Sequence, residues 1–306
     1  MKVLVLLVSL AAFVSAGTVP DYSKFNPVYG YLTRFGIPEA ERIQKAEEAY
    51  LNSQSSRIVG GFPAARAQIP YQAGLISDII GQTGRGVCGG SLITNNRILT
   101  AAHCWFDGRN HAWRFTVVLG SHLLFTGGTR ILTSAVKMHD EWFPWLIRND
   151  IAMAHLPNHT ISSISIPTGS LLDQDFSGSQ ATVSGFGLID NGIVATTYAR
   201  VSVITNSACN LAFPTIIQDS HICTSTLGGS GPDRGDSGGP LITENNAPPN
   251  RYLFLKVDVQ YFLPVTVDEC YGTVVNFCSF TDWCCIVWIC FGPASTCSLR
   301  PSYEIQ

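Results

Sequence analysis

Between Ile58 and about Leu255 the sequence is a succession of short runs rich in Val, Ile, Leu and Thr, each closed by Gly, Asn or Ser. Arg97-Ile98-Leu99-Thr100, Phe115-Thr116-Val117-Val118-Leu119 and Ala181-Thr182-Val183-Ser184 are examples. Such runs are shorter than a typical helix, and β-branched side chains sit well on a pleated surface, so each reads as a strand. Many short strands with turn signals between them predict an all-β sandwich or barrel. Neither a repeat at solenoid period nor a low-complexity tract interrupts them. With 306 residues, 46% hydrophobic and 13% charged, the chain has ample material for a core and lacks the charge density of a disordered protein.

The flanks of this body have a different texture. Residues 1–16 read as a signal peptide: Lys2 is the basic start, Val3 to Val14 the apolar run, and Val14-Ser15-Ala16 the small-residue cleavage site. The run is shorter than the roughly 20 residues that a membrane-spanning helix needs, so a secreted protein without a membrane partner is expected. Residues 17–57 contain no Cys, and Pro38-Glu39-Ala40-Glu41 opens a helical pattern that puts Ile43, Ala46, Tyr50 and Leu51 on one face. This stretch is expected to be a removable pro-segment. Ten cysteines in a secreted chain imply disulfides rather than a metal site, since none stands in zinc-like spacing beside a histidine pair. Four of them, Cys88, Cys104, Cys209 and Cys223, are spread through the body, and six crowd the last 37 residues. A net charge of −3 without a basic cluster argues against nucleic acid as a partner. From Ile58 onward there are 11 Arg and two Lys. Guanidinium keeps its charge at about pH 10, where ammonium loses it, so the bias reads either as tolerance of an alkaline medium or as compositional drift.

Gly235-Asp236-Ser237-Gly238-Gly239-Pro240 carries the strongest chemical signal. A serine between glycines can occupy a tight exposed turn whose backbone N–H groups converge, as the oxyanion of an acyl transfer requires. Its hydroxyl is a weak nucleophile until a base removes the proton. Thr100-Ala101-Ala102-His103-Cys104 offers that base, and Cys104 can close onto Cys88 to fix the loop. A carboxylate must hold the imidazole in the productive tautomer and stabilise its cation. Asp150, in Asn149-Asp150-Ile151-Ala152-Met153, heads an apolar run and is expected to be buried, whereas Asp140 has no such run behind it. His111, His122, His139, His155, His159 and His221 read as surface or satisfied structural groups. This chemistry requires neither a metal nor an organic cofactor.

With these three segments in the order His, Asp, Ser, the sequence resembles the chymotrypsin-like serine proteases. Arg57 followed by Ile58-Val59-Gly60-Gly61, then Cys88-Gly89-Gly90-Ser91-Leu92-Ile93 and Ser184-Gly185-Phe186-Gly187, extend the likeness. Pro70-Tyr71-Gln72-Ala73-Gly74-Leu75 and the stretch 136–156 look most like insect digestive chymotrypsins. The resemblance runs from Ile58 to about Leu255 and implies two six-stranded antiparallel β-barrels, with His103, Asp150 and Ser237 in the cleft between them. It implies an oxyanion hole from the N–H groups of Gly235 and Ser237, and disulfides Cys88–Cys104 and Cys209–Cys223. Such bridges close loops of about 17 and about 15 residues, each stabilising by about 3 kcal/mol on a chain-entropy estimate. It further implies activation by a trypsin-like protease that cuts between Arg57 and Ile58, after which the new amino group pairs with Asp236. Gly231, six positions before Ser237, would form the pocket floor; with no carboxylate there, a preference for cutting after large hydrophobic residues follows. Protein or peptide substrates, the activating protease and protein protease inhibitors are the implied partners, and the gut lumen the implied setting.

Two features depart from the family pattern. Asp233 stands where the family usually has a cysteine that braces the pocket. Residues 256–306, with Cys270, Cys278, Cys284, Cys285, Cys290 and Cys297, hold no readable cleft-wall strand, Gly-rich loop or terminal helix. The C-terminal part of the second barrel is therefore expected to be atypical, its tail out-of-frame or alternatively spliced sequence rather than a cystine module. That leaves two rivals to a working endopeptidase: a catalytically impaired binding protein on the same scaffold, and a non-functional splice product.

Overall fold

The computed structural model describes residues 26–52, 69–157, 161–166, 176–187, 196–212, 217–225, 235–244 and 251–255. The expected signal peptide, Arg57, Ile58, Gly231 and the tail 256–306 lie outside these residues.

Strands β1 (Gln72–Ile79), β2 (Arg85–Thr94), β3 (Arg97–Thr100), β4 (Ala112–Leu119), β5 (Thr129–Thr133), β6 (Val136–Met138) and β7 (Ala152–His155) form one antiparallel sheet in the order β5-β4-β1-β2-β3-β7-β6. β5 and β6 lie at opposite ends of that order, yet only Ser134 and Ala135 separate them along the chain. The two edges therefore meet and the sheet closes into a barrel, which leaves no free edge to pair with a neighbour. β5 and β6 act as two halves of one bent strand, so the seven strands make the expected six-stranded ring. Leu75, Leu92, Ile98, Phe115, Val117 and Leu119 fill it, all fully buried. Each such side chain contributes about 1.5–3 kcal/mol through loss of contact with water.

The second sheet takes β8 (Gln180–Gly185), β9 (Thr197–Ile204), β10 (Cys223–Ser225), β11 (Pro240–Glu244) and β12 (Arg251–Leu255) in the order β10-β9-β8-β11-β12, again antiparallel. Its core is Phe176, Ala181, Val183, Val201, Val203 and Leu241. The two β-barrels of a trypsin-like fold thus divide the chain as expected, the second with five strands among the described residues. A buried bond joins the halves, in which the Ser184 hydroxyl donates to Gln72 Oε1 at 2.7 Å.

Ahead of both halves, a π-helical turn (Leu32–Gly36) runs into helix α1 (Ile37–Asn52). Pro38 follows directly on the π-helical turn, inside one continuous helical run from Tyr31 to Asn52. The buried stripe differs from the one the apolar pattern predicts. Ile43 is buried as expected and Ala46 half-buried, but Tyr50 and Leu51 are exposed, and Glu39, Ala40 and Glu47 lie inside. A hydrophobic count discards glutamates, so it misses a stripe that contains two of them. Among the described residues no helix is long and apolar enough to cross a membrane.

Candidate active site

Thr100, the last residue of β3, pairs with Ala152, the first of β7. His103 lies just beyond the one and Asp150 just before the other, so the antiparallel ladder itself delivers both side chains to one end of the barrel. His103 sits in a 3₁₀ turn (Ala102–Cys104) that the Cys88–Cys104 disulfide ties to β2. Its Nδ1 is 2.6 Å from Asp150 Oδ2, and its backbone N–H donates to Asp150 Oδ1 at 2.8 Å. Both side chains are buried, so one carboxylate fixes the ring and its backbone together. In the tautomer that donates Nδ1–H to Asp150, Nε2 carries the lone pair a general base needs. The approach to Asp150 is strained: Ile147 and Asn149 hold φ of 53° and 56°, a region that costs a β-branched residue on the order of 1–3 kcal/mol. An Asn149 Nδ2–H bond to the Glu141 carbonyl at 3.0 Å supports the turn.

Ser237 lies in the turn that enters β11. The Gly89 N–H of β2 donates to the Ser237 carbonyl at 2.7 Å, so the first barrel grips the turn directly. Gly238, at φ 81°, is close enough to the first barrel that a Cβ there would stand 2.4 Å from Thr100 Oγ1. Only glycine meets both demands. Asp236 is buried, lies against Gly185 and Gly187, and accepts the Gly187 N–H at 2.7 Å. Ile58, expected as its partner, is outside the described residues. Cys209–Cys223, the second expected disulfide, is formed and ties α2 (Asn206–Ala212) to β10.

The three expected catalytic residues are thus near one another and closed off from solvent: His103, Asp150 and Ser237 expose 0%, 5% and 3% of their surface. His103 Nε2 is buried without a hydrogen-bond partner among the described residues, so the Ser237 hydroxyl does not bond to it in this arrangement. Part of the cover is Tyr31, whose ring meets the imidazole edge-on with centroids 4.6 Å apart. Tyr31 was not legible as a site residue, because nothing in its sequence neighbourhood signals a contact made 72 residues away. The rival Asp140 is exposed and paired with Lys137, which holds its carboxyl below the usual range. Among the described residues one group of metal-type donors comes together, Cys88, His103 and Cys104, but its sulfurs are joined in the disulfide and offer no thiolate.

Comparison with known proteins matches residues 58–284 to the family described as Trypsin, a span that continues past Leu255. Collagenase from Hypoderma lineatum is 38% identical over 195 residues, covering 62% of this chain and 73% of that protein. Chymotrypsin from Phaedon cochleariae is 36% identical over 203 residues, covering 62% of this chain and 71% of that one. Among solved structures, HL collagenase superposes with a TM-score of 0.56 at 37% identity, over 60% of this chain and 80% of its own.

Proposed function

Because this chain belongs to the trypsin family and is a serine endopeptidase acting on proteins, we propose that Ser237 is its nucleophile, His103 its base and Asp150 the group that orients the base. Ser237 Oγ attacks the scissile carbonyl while His103 Nε2 takes its proton. The N–H groups of Gly235 and Ser237 receive the oxyanion, and His103 returns the proton to the leaving amine. Water then hydrolyses the acyl-enzyme by the same steps, with no cofactor. The observation that carries this reading is the buried His103–Asp150 pair at 2.6 Å, in which one carboxylate binds both the ring and the backbone of the histidine.

The precursor is secreted, with residues 17–57 as its pro-segment, and becomes active when a trypsin-like protease cuts after Arg57 and Ile58 pairs with Asp236. Gly231 at the pocket floor favours cutting after large hydrophobic residues, in digestive proteolysis in a gut lumen. Relatives named chymotrypsin and collagenase support that direction. The test is to cut the precursor with trypsin, sequence the new N-terminus, and label with a serine-directed fluorophosphonate. Label on Ser237, a start at Ile58, and kcat/KM higher for Phe, Tyr or Leu than for Arg or Lys before the cut are expected. A clear win for Arg would refute the pocket assignment, and label on another serine the nucleophile.

A further inference from the structure

Residues 26–52 bind across the catalytic residues, on both sides of them. On the side of the loop that carries Asp150, Asn26 Nδ2 donates to the carbonyls of Pro144 and Trp145 at 2.8 and 3.2 Å. Tyr29 stacks on Trp145 with ring centroids 4.3 Å apart. Over the centre, the buried Tyr31 ring lies against His103, and the Leu32 N–H donates to the buried Asp107 at 2.8 Å. On the far side, Glu39 Cγ and Ile43 Cδ1 lie 3.1 and 3.6 Å from where a Cβ on Gly235 would project. Ile43 is buried among Val87, Leu124 and Phe186. One turn further on, the buried Glu47 carboxylate accepts the N–H groups of Leu124 and Phe125.

We propose that this segment is a tethered inhibitor: the body of the protease carries a binding site for an amphipathic helix preceded by an aromatic residue, and occupancy of that site shuts the catalytic centre. A segment serving only to hold back the Ile58 amino group needs no contact with the catalytic residues. This one covers the base and lies beside Gly235, which the reading above gives to the oxyanion hole, and the inference rests on that reading. Buried carboxylates also argue for a built interface, because burying a charge is costly unless hydrogen bonds answer it. Glu47 has the two N–H groups, and Glu39 is bonded by Arg42 at 2.8 and 2.9 Å. None of these contacts runs through the bond between Arg57 and Ile58. Cutting it therefore removes the tether and leaves the inhibitor in place, so that activation has two steps: cleavage, then release.

The test uses the full-length precursor with Lys45→Gln under limited trypsin digestion, taken at the point where intact mass shows cleavage at Arg57 alone; Arg42 is kept because it holds the buried Glu39. Arg34 is sheltered by bonds to the carbonyls of Asn26 and Tyr29 at 2.9 and 2.7 Å. After trypsin has cut at Arg57, the segment should co-elute with the body in size exclusion. Fluorophosphonate labelling of Ser237 should be at least tenfold slower than after the segment has been separated in mild denaturant and the body returned to buffer. The same protein with Tyr31→Ala and Ile43→Ala should label at the fast rate as soon as it is cut. Immediate loss of the segment on cutting, or equal labelling with it bound and removed, would overturn the inference and leave the protease reading standing. No labelling of Ser237 even after removal would instead bring down the catalytic reading, and the inference with it.

Discussion

Asp150 holds His103 at two points, the ring nitrogen and the backbone N–H, and the two oxygens of one carboxylate are each occupied. An amide of the same shape can keep one of these bonds but not both roles. In Asp150→Asn the side-chain oxygen continues to accept the backbone N–H, and the amide nitrogen, now a donor, faces Nδ1. The imidazole is then held with its proton on Nε2, the tautomer that cannot take a proton from serine. Activated Asp150→Asn should therefore fold as before and lose about 10⁴-fold in kcat near neutral pH. Steady-state hydrolysis of a peptide amide, with thermal unfolding as the control, checks this. A loss below tenfold would mean that Asp150 does not set the tautomer.

At the scale of the element, helix α1 is the part whose behaviour depends on pH. Burial pushes the Glu47 carboxyl above its ordinary 4.5, outweighing the N–H groups of Phe125 and Leu124, the Thr126 side chain and the facing Arg130 guanidinium, all of which favour the charge. The docked helix accordingly binds a proton more readily than the free one. Docking is strongest where Glu47 is protonated and weakens as pH rises from about 4.5 through the raised docked value. Glu47→Gln keeps an acceptor for the same N–H groups and carries no charge. Amide exchange of α1 in the precursor, followed from about pH 4.5 upward, should show the unaltered helix opening progressively more than the variant, beyond the intrinsic rise in exchange rate. Parallel pH profiles would contradict the assignment. The same helix marks what the sequence could and could not convey. β3 spans the run Arg97–Thr100, and His103 and Asp150 were found by short local words, because strands and catalytic loops draw their identity from adjacent residues. The start of α1 was equally legible. Its docking face was not, since two of the buried residues are glutamates: the N–H partners of Glu47 lie 77 and 78 positions away, and Glu39 is bonded by the half-exposed Arg42 three residues on. The contact of Tyr31 with His103 exists only once the barrel is built.

The candidate active site draws on both barrels, with the proposed base and carboxylate on the first and the proposed nucleophile on the second. Their relative placement rests on a narrow seam. A Cβ on Gly89 would stand 2.8 Å from Gly239 Cα and 2.9 Å from Gly239 N, backbone against backbone, so neither side can yield by a rotamer change. Gly89→Ala should push the Ser237 turn away from the first barrel and strain the 2.7 Å bond from the Gly89 N–H. A misplacement near 1 Å costs about 10²-fold, and kcat/KM of the activated variant should fall by that order, while far-ultraviolet circular dichroism keeps its β signature. Unchanged kcat/KM would show that the seam adapts. The ring closure through Ser134 and Ala135 also has a meaning in time. A ribosome adding roughly 5–20 residues per second delivers first the segment 26–52, then the strands through β7 that complete the first ring, and only some seconds later the turn with Ser237. The cover and most of the cradle it rests in come into being before the blade, so the growing chain never carries the proposed nucleophile before its sheath has been made.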